Sequence, residues 1–295
     1  MARTKRNDLL AQEIVKPQGL IGGQLFPVLN KMTSSGSIFK IAAGSNANVA
    51  NTRTAGAVVT PTNNTGTPVG FTLAEVSDRQ AVDDSQISMY GGPDRYKLNL
   101  ARTAALNVAK LSELAVKNAI YALDAMDNDD TLFETINDAI DALKLFPGRI
   151  VLAGSSQILR EIRSDTTIAD QLKNTGMVPA GIDPRFVSNE VLAAALNIDM
   201  VFEGRGDVWS TTGLHLQILP DPTFEPHQEI QAGRTIQQVV GEDDGNDMFL
   251  QCFEGYDDSR KSEYIDVESF MQAKVLNSSL IKVIDASTLI SGSDS

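Results

Sequence analysis

The stretch YKLNLARTAALNVAKLSELAVKNAIYALDAM, residues 96–126, contains neither Gly nor Pro. Within it Leu98, Ala101, Ala105, Val108, Ser112, Ala115, Ala119 and Ala122 recur at three and four, the spacing of one helical face. Lys97, Arg102, Lys110 and Lys117 stand on the opposite side. A helix of this length spans about 46 Å at the usual rise per residue, well beyond the average globular helix. A long helix with a stripe of small residues is a girder onto which sheets pack.

Beyond the helix, Asp127 to Asp130 is a break, and Thr131 with Glu134 fits a capping box for a new helix. Leu132, Ile136, Ala139, Ile140 and Leu143 form its expected buried face, and Pro147 with Gly148 ends it. From Arg149 to Pro220 strand and helix alternate. Ile150 to Ala153 reads as a strand, Ser155 or Ser156 as the cap of a helix running through Ile162, and Ser188 as the cap of Glu190 to Leu196. Strands are expected at Ile198 to Phe202 and Leu214 to Leu219, which makes a small α/β unit. From Ile236 the pattern is β-rich. Ile265, Val267, Met271, Ala273 and Val275 share one strand face, while Asp266, Glu268, Gln272 and Lys274 share the other, expected to be wet. Leu280 to Ile284 is a further strand, and Ser291 to Ser295 a polar tail.

Before the helix the chain changes character. The first thirty residues, with Pro17, Gly19, Gly22, Gly23 and Pro27, read as an arm with few side chains able to bury a core. Of residues 41–70, twenty-two are Ala, Gly, Ser, Thr or Asn, and Arg53 is their one charge. A structureless loop of that length inside a compact domain is unusual, so an extended loop that pairs with another chain is favoured over a flexible linker.

Composition narrows the function classes. The 295 residues are 42% apolar and 21% charged, as in a chain with a true core. No apolar run is long enough for a membrane span, and Met1 to Arg6 is basic without the apolar stretch of a secretory signal. Cys252 is the only cysteine, so no intrachain disulfide forms. Together with His215 and His227 it is too little for an ordinary zinc site. The net charge of −13 hides a split. Residues 1–74 carry Arg3, Lys5, Arg6, Lys16, Lys31, Lys40 and Arg53 against only Asp8 and Glu13, a local +5 against −18 for the remainder. Such asymmetry invites contact between the basic part and nucleic acid or the acidic body of a neighbouring copy.

Catalytic motifs fail on spacing. Ser156 lies between a strand and a helix, where a nucleophile elbow would sit, but after Gly154 the second glycine is replaced by Ile158, so a helix cap is the better reading. Asp127, Asp129 and Asp130 do not make a calcium loop, whose twelfth position would be Asp138, and neither do Glu242, Asp243, Asp244 and Asp247 around Gly245. Gly204-Arg205-Gly206 lacks the third glycine of a dinucleotide fingerprint, with Trp209 in its place. Arg205-Gly206-Asp207 matches an adhesion tripeptide but is equally explained by a β-turn. Arg3, Lys5 and Arg6 offer only weak, salt-sensitive attraction to phosphate. No catalytic, cofactor-binding or metal-ligating residue is assigned, and no enzyme activity is expected.

The order of these pieces resembles the major capsid proteins of tailed bacteriophages with the Hong Kong 97-type fold. Gly22-Gly23-Gln24-Leu25-Phe26-Pro27-Val28 looks like the step by which the arm approaches the body, and Ile38-Phe39-Lys40-Ile41 like the start of the extended loop. Residues 96–126 look like the spine helix. Arg149 to Gly154, Ile158 to Ile162, Val191 to Ile198 and Met200 to Phe202 are similar to the strand and helix series of the axial domain, closed by Trp209 and His215 to Pro220. The likeness covers nearly the whole chain.

The resemblance implies an α+β chain with an N-terminal arm (1–40), an extended loop (41–92), a spine helix (93–130), an α/β axial domain (131–235) and a β-rich C-terminal part of a peripheral domain (236–295). It implies pentamers and hexamers closing into an icosahedral shell around double-stranded DNA, held by non-specific contact, with virion localisation after assembly in the host cytoplasm. The expected partners are copies of itself, a separate scaffolding protein, a portal protein and a decoration protein; no cofactor and no membrane are implied. Some relatives cross-link through a lysine in the extended loop, but no lysine occurs between Lys40 and Lys97, so a shell without isopeptide bonds is expected. An encapsulin-type nanocompartment is the nearest alternative, followed by an α/β hydrolase using Ser156 and an adhesin using Arg205 to Asp207. If the +5 segment docks on acidic neighbours, assemblies loosen as ionic strength rises; an assembly whose melting profile is the same at low and high salt rules out charge as the main glue.

Overall fold

The computed structural model describes residues 5–6, 20–31, 33–40, 67–126, 131–174, 183–209, 213–220, 231–238, 250–259 and 262–286. In chain order its strands are β1 (Lys5–Arg6), β2 (Val28–Lys31), β3 (Ser35–Lys40), β4 (Thr67–Thr72), β5 (Ala74–Ala81), β6 (Ala125–Met126) and β7 (Arg149–Ser155). They continue with β8 (Met200–Gly204), β9 (Gly213–Leu219), β10 (Gly233–Gln238), β11 (Gln251–Asp257), β12 (Ser262–Val275) and β13 (Ile281–Asp285). The helices are α1 (Gly22–Leu25), α2 (Asp84–Ile87), α3 (Pro93–Tyr121), α4 (Leu132–Leu143), α5 (Ser156–Ser164), α6 (Thr166–Asn174) and α7 (Asn189–Ala195). Contacts divide the chain into one unit of 1–36, 71–118 and 234–274 and another of 37–70, 119–233 and 275–295.

The long helix is present but shifted. It starts at Pro93, where a missing N–H costs nothing and Asp94 suits the helix dipole. It ends at Tyr121 rather than at residue 126. A tight Leu123 N to Ile120 O bond closes it, and Ala125–Met126 pair instead with Val283–Ile284 of β13. Sheet pairing overrides a good local helix propensity there. The buried face follows Ala101, Ala104, Ala105, Val108, Ala109 and Ser112 and then runs through Val116 and Ile120. Ala115 and Ala119, expected on that face, are half-buried, and Ala122 is exposed. In the first unit the alanines pack with Val82, Tyr96, Cys252, Ile265 and Val267.

One buried position on α3 is a carboxylate. Glu113 is 3% exposed, and it accepts hydrogen bonds from the backbone N–H groups of Ile21 at 2.8 Å and Gly22 at 2.7 Å. These are donors at the start of α1, which a helix leaves unsatisfied. A Cβ on Gly22 would lie 2.6 Å from Glu113 Oε2, so the close approach requires glycine. Ile21, Leu25 and Phe26 are buried as a result. An arm with few side chains to bury a core of its own is thus ordered by lying on α3, with Gly23 and Gln24 left exposed.

The first unit's sheet runs β1-β11-β12-β10-β2, with β5 also on β12. β2 lies parallel to β10, and β1 pairs antiparallel with Phe253 and Glu254 of the same chain. β12 carries β11 and β5 antiparallel to it. The face of β12 expected to be wet is dry in its first half, where Asp266 and Glu268 are buried, while Gln272 and Lys274 farther along keep partial contact with solvent. Asp266 stands directly across from Arg79, and the guanidinium binds it through Nε at 3.1 Å and Nη2 at 2.5 Å while lying over the Tyr264 ring at 4.2 Å. Two guanidinium N–H groups on one carboxylate oxygen give this hidden acceptor its donors. β5 falls within the range expected to be extended loop, yet it is a full member of this sheet. The loop expected over 41–66 lies outside the described residues, as do the cluster Asp127 to Asp130 and the polar tail.

The second unit is built on the sheet β6-β13-β9-β7-β8. β7 and β9 are buried along almost their whole length, as inner strands covered on both faces are. α4 has the expected capping box and buries Leu132, Ile136, Ala139, Ile140 and Leu143. Gly148 has φ +125°, and a Cβ there would stand 2.7 Å from Leu219 O. Ser188 precedes α7 but does not cap its backbone; its hydroxyl binds the Glu190 carboxylate instead and lowers that group's pKa. β13, grouped by sequence with the β-rich 236–295 region, pairs antiparallel with β9 in this sheet. β3 and β4 form a separate two-stranded ribbon.

Replacing Glu113 with Ala leaves two hidden N–H groups without acceptors, and urea unfolding is expected to show a loss of about 3 kcal/mol. A loss below about 0.5 kcal/mol, the range of an ordinary surface change, contradicts this role for the carboxylate.

Candidate functional site

The residues considered for catalysis resolve into structural roles. Ser155, not Ser156, is the cap of α5, its Oγ accepting from Ile158 N at 3.4 Å. Ser156 opens the helix half-buried. His215 lies on β9, directly across from Ala153 of β7. It is fully buried, and neither ring nitrogen has a hydrogen-bond partner, so there is no Ser156–His215 couple. Burial alone pushes its pKa down to about 3, which leaves a poor general base at neutral pH.

Arg205, Gly206 and Asp207 form a turn closed by Val208 N to Arg205 O at 3.0 Å. Arg205 spends its guanidinium on Asp207, at 3.1 and 3.2 Å, so the tripeptide is internally satisfied. Cys252 is buried and its thiol is pushed up to about 12, chiefly by burial and then by Glu254 and Asp266, which makes it unreactive. Arg3, His227 and the acidic cluster at 242–247 lie outside the described residues, and only the backbone of Lys5 and Arg6 is described. Among the described residues no group of His, Cys, Asp and Glu is arranged to hold a metal ion, and no helix is long and apolar enough to cross a membrane.

Among the described residues the surface offers exposed ribbons and large apolar side chains. The ribbon β3–β4 is exposed along most of its length, with Phe39 72% exposed on it. β5 exposes every second side chain or more. Phe186 and Leu145 in the second unit, and Met89 in the first, are 77%, 82% and 82% exposed. Large apolar side chains and extended ribbons of this kind suit contact with other chains. Lys97, the first lysine after Lys40, is held by Glu263 at 2.8 Å and Glu254 at 3.1 Å, and the bond to Glu263 leads in raising its pKa.

Three features escaped sequence reasoning: the Glu113 anchor, the Arg79–Asp266 pair, and a cluster of Tyr121, Trp209 and His215. A lone acid beside Ser112 on an otherwise apolar stripe was a signal for the first. Strand register reveals the second and tertiary packing the third.

No family model and no curated protein matches the chain. Solved structures do. A phage-related protein from Bordetella bronchiseptica is 16% identical, with 98% of this chain and 99% of that chain covered at a TM-score of 0.67. The capsid of Cyanophage P-SCSP1u is 10% identical, with 89% and 86% covered at 0.54. A virus-like particle from Pyrococcus furiosus is 13% identical, with 94% and 98% covered at 0.52. The chain has the mixed α+β fold of phage capsid proteins, the class its sequence resembles.

Ser155→Ala is expected to cost about 1 kcal/mol through loss of the cap, and Ser156→Ala to stay within about 0.5 kcal/mol. Thermal melts of the two variants check this, and the reverse order refutes it.

Proposed function

We propose that this chain is the repeating subunit of a tailed-phage capsid, a structural protein that associates with itself into pentamers and hexamers and closes an icosahedral shell around double-stranded DNA. The observation that carries the reading is a fold likeness over nearly the full length of both chains, with a capsid among the matched structures. In this reading α3 is the spine, the second unit's five-stranded sheet is the core of the axial domain, and the first unit's sheet is the peripheral domain. The ribbon β3–β4 is the root of the extended loop, which reaches onto an adjacent subunit.

The physical logic is complementarity. Residues 1–74 carry +5 and the remainder −18, so thin acid-poor segments meet acidic neighbours. Scaffolding, portal and decoration proteins belong to the same reading, with assembly in the host cytoplasm and residence in the virion. A shell housing other cargo is the second reading, favoured by the likeness to the virus-like particle. Packaged DNA distinguishes the phage capsid from a compartment that holds a protein cargo.

Electron microscopy and sedimentation of the purified protein, with scaffolding protein added where it does not assemble alone, are expected to give closed shells. The same shells boiled in detergent should run as a single 31.8 kDa band, since no lysine lies between Lys40 and Lys97. Monomers under all conditions overturn the function, and a covalent ladder overturns the absence of cross-links.

A further inference from the structure

Tyr121, Trp209 and His215 meet in the second unit. The His215 ring stacks on Trp209 at 5.7 Å between centroids and 19° between planes. Tyr121 stands edge-on to His215 at 5.8 Å and to Trp209 at 6.3 Å. Two glycines make room. A Cβ on Gly204 would lie 2.2 Å from Trp209 Cδ1, and one on Gly213 would lie 2.7 Å from Tyr121 Cε1. Tyr121 is the last residue of α3, and Gly213 the first of β9, so the cluster is what seats the helix end on the sheet.

The packing is dense but electrically incomplete. Tyr121 Oη and both imidazole nitrogens of His215 are buried without hydrogen-bond partners. The residues across from His215 on the neighbouring strands are Ala153 and Val283, both apolar. The charged groups on the flanking segments are Lys117, Asp124, Glu203, Arg205, Asp207, Lys282 and Asp285, all of which keep contact with solvent. On the helices packed against this sheet, Glu134, Asp138 and Asp141 of α4, Arg160 of α5 and Glu190 of α7 are exposed, Glu161 is half-buried and Arg163 buried. None of these charges acts on the imidazole, whose proton affinity is set by burial alone. Burial also raises the pKa of Tyr121, which stays neutral and supplies no counter-charge.

We propose that Tyr121, Trp209 and His215 form an acid-released latch: protonation of His215 dismantles the cluster and frees the end of α3 from the five-stranded sheet. A cationic imidazole there has two N–H groups and a whole charge with no acceptor, and stacking on the indole face returns only part of that cost. The unfolded or opened chain takes up the proton near the ordinary value of 6.5, and the closed form near 3. The latch is therefore fully closed above about pH 6.5 and weakens as the pH falls, by up to about tenfold per pH unit in the opening equilibrium.

Trp209 is the only tryptophan, so its fluorescence reports on the latch without labels. In the full-length protein the opening equilibrium followed by Trp209 emission in urea is expected to rise at least tenfold more between pH 7 and pH 5 than in His215→Phe, which keeps an aromatic ring but cannot titrate. Equal pH dependence in the two proteins overturns the latch. Hydrogen exchange of the wild-type chain keeps the test independent of the variant's folding. After correction for the intrinsic pH effect, amides 119–126 are expected to exchange at least fivefold faster at pH 5 than at pH 7, while amides 132–143 hold. Unchanged protection at 119–126, or equal loss in both segments, refutes a local acid-released element.

Discussion

A carboxylate hidden in the middle of a small-residue helix face has to be answered by donors, and Glu113 is answered by the backbone of Ile21 and Gly22. The pairing is economical because both sides start in deficit: the helix face has a buried acceptor and the arm has N–H groups that its short helix cannot use. Satisfying one satisfies the other. It also fixes where the chain enters the body, since Ile21, Leu25 and Phe26 follow the anchored backbone into the core and β2 then continues alongside β10. The first unit's architecture depends on this junction more than on any single apolar contact.

The same economy recurs at β12. Asp266 and Glu268 lie buried on a strand that is paired with β11 and β5. Asp266 survives there because the register places Arg79 opposite it and Tyr264 beneath the guanidinium. In the second unit the Tyr121–Trp209–His215 cluster is the contrary case, in which ring packing is complete and polar satisfaction is not. Where a chain tolerates an unmet polar group, the local structure holds on shape alone and becomes sensitive to a change of charge.

What could be read in the sequence was whatever depends on local spacing. The capping box at Thr131 and Glu134, the buried face of α4, the cap before α5 and the strand at 149–155 all arise from residues within a few positions of one another. The end of α3 was misplaced because Ala125 and Met126 are drawn into a sheet by β13, some 158 residues away in the chain. Likewise the alternation of β12 gave its pleat correctly but not its covering, since a face is wet or dry according to what packs over it. Whether 281–285 closed one sheet or the other was invisible for the same reason. The order of elements, which carried the resemblance, survived all these local errors.

The alanine stripe of α3 has a consequence for how this scaffold can vary. Ala101, Ala104 and Ala105 bring the helix backbone close to Ile265 and Val267, and a methyl group is nearly the smallest side chain available. Substitution at those positions can therefore add bulk but hardly remove it, and overpacking is as damaging as a void. The gap between girder and sheet thus behaves as a fixed gauge, and diversification is left to the ribbons, loops and rims that face outward.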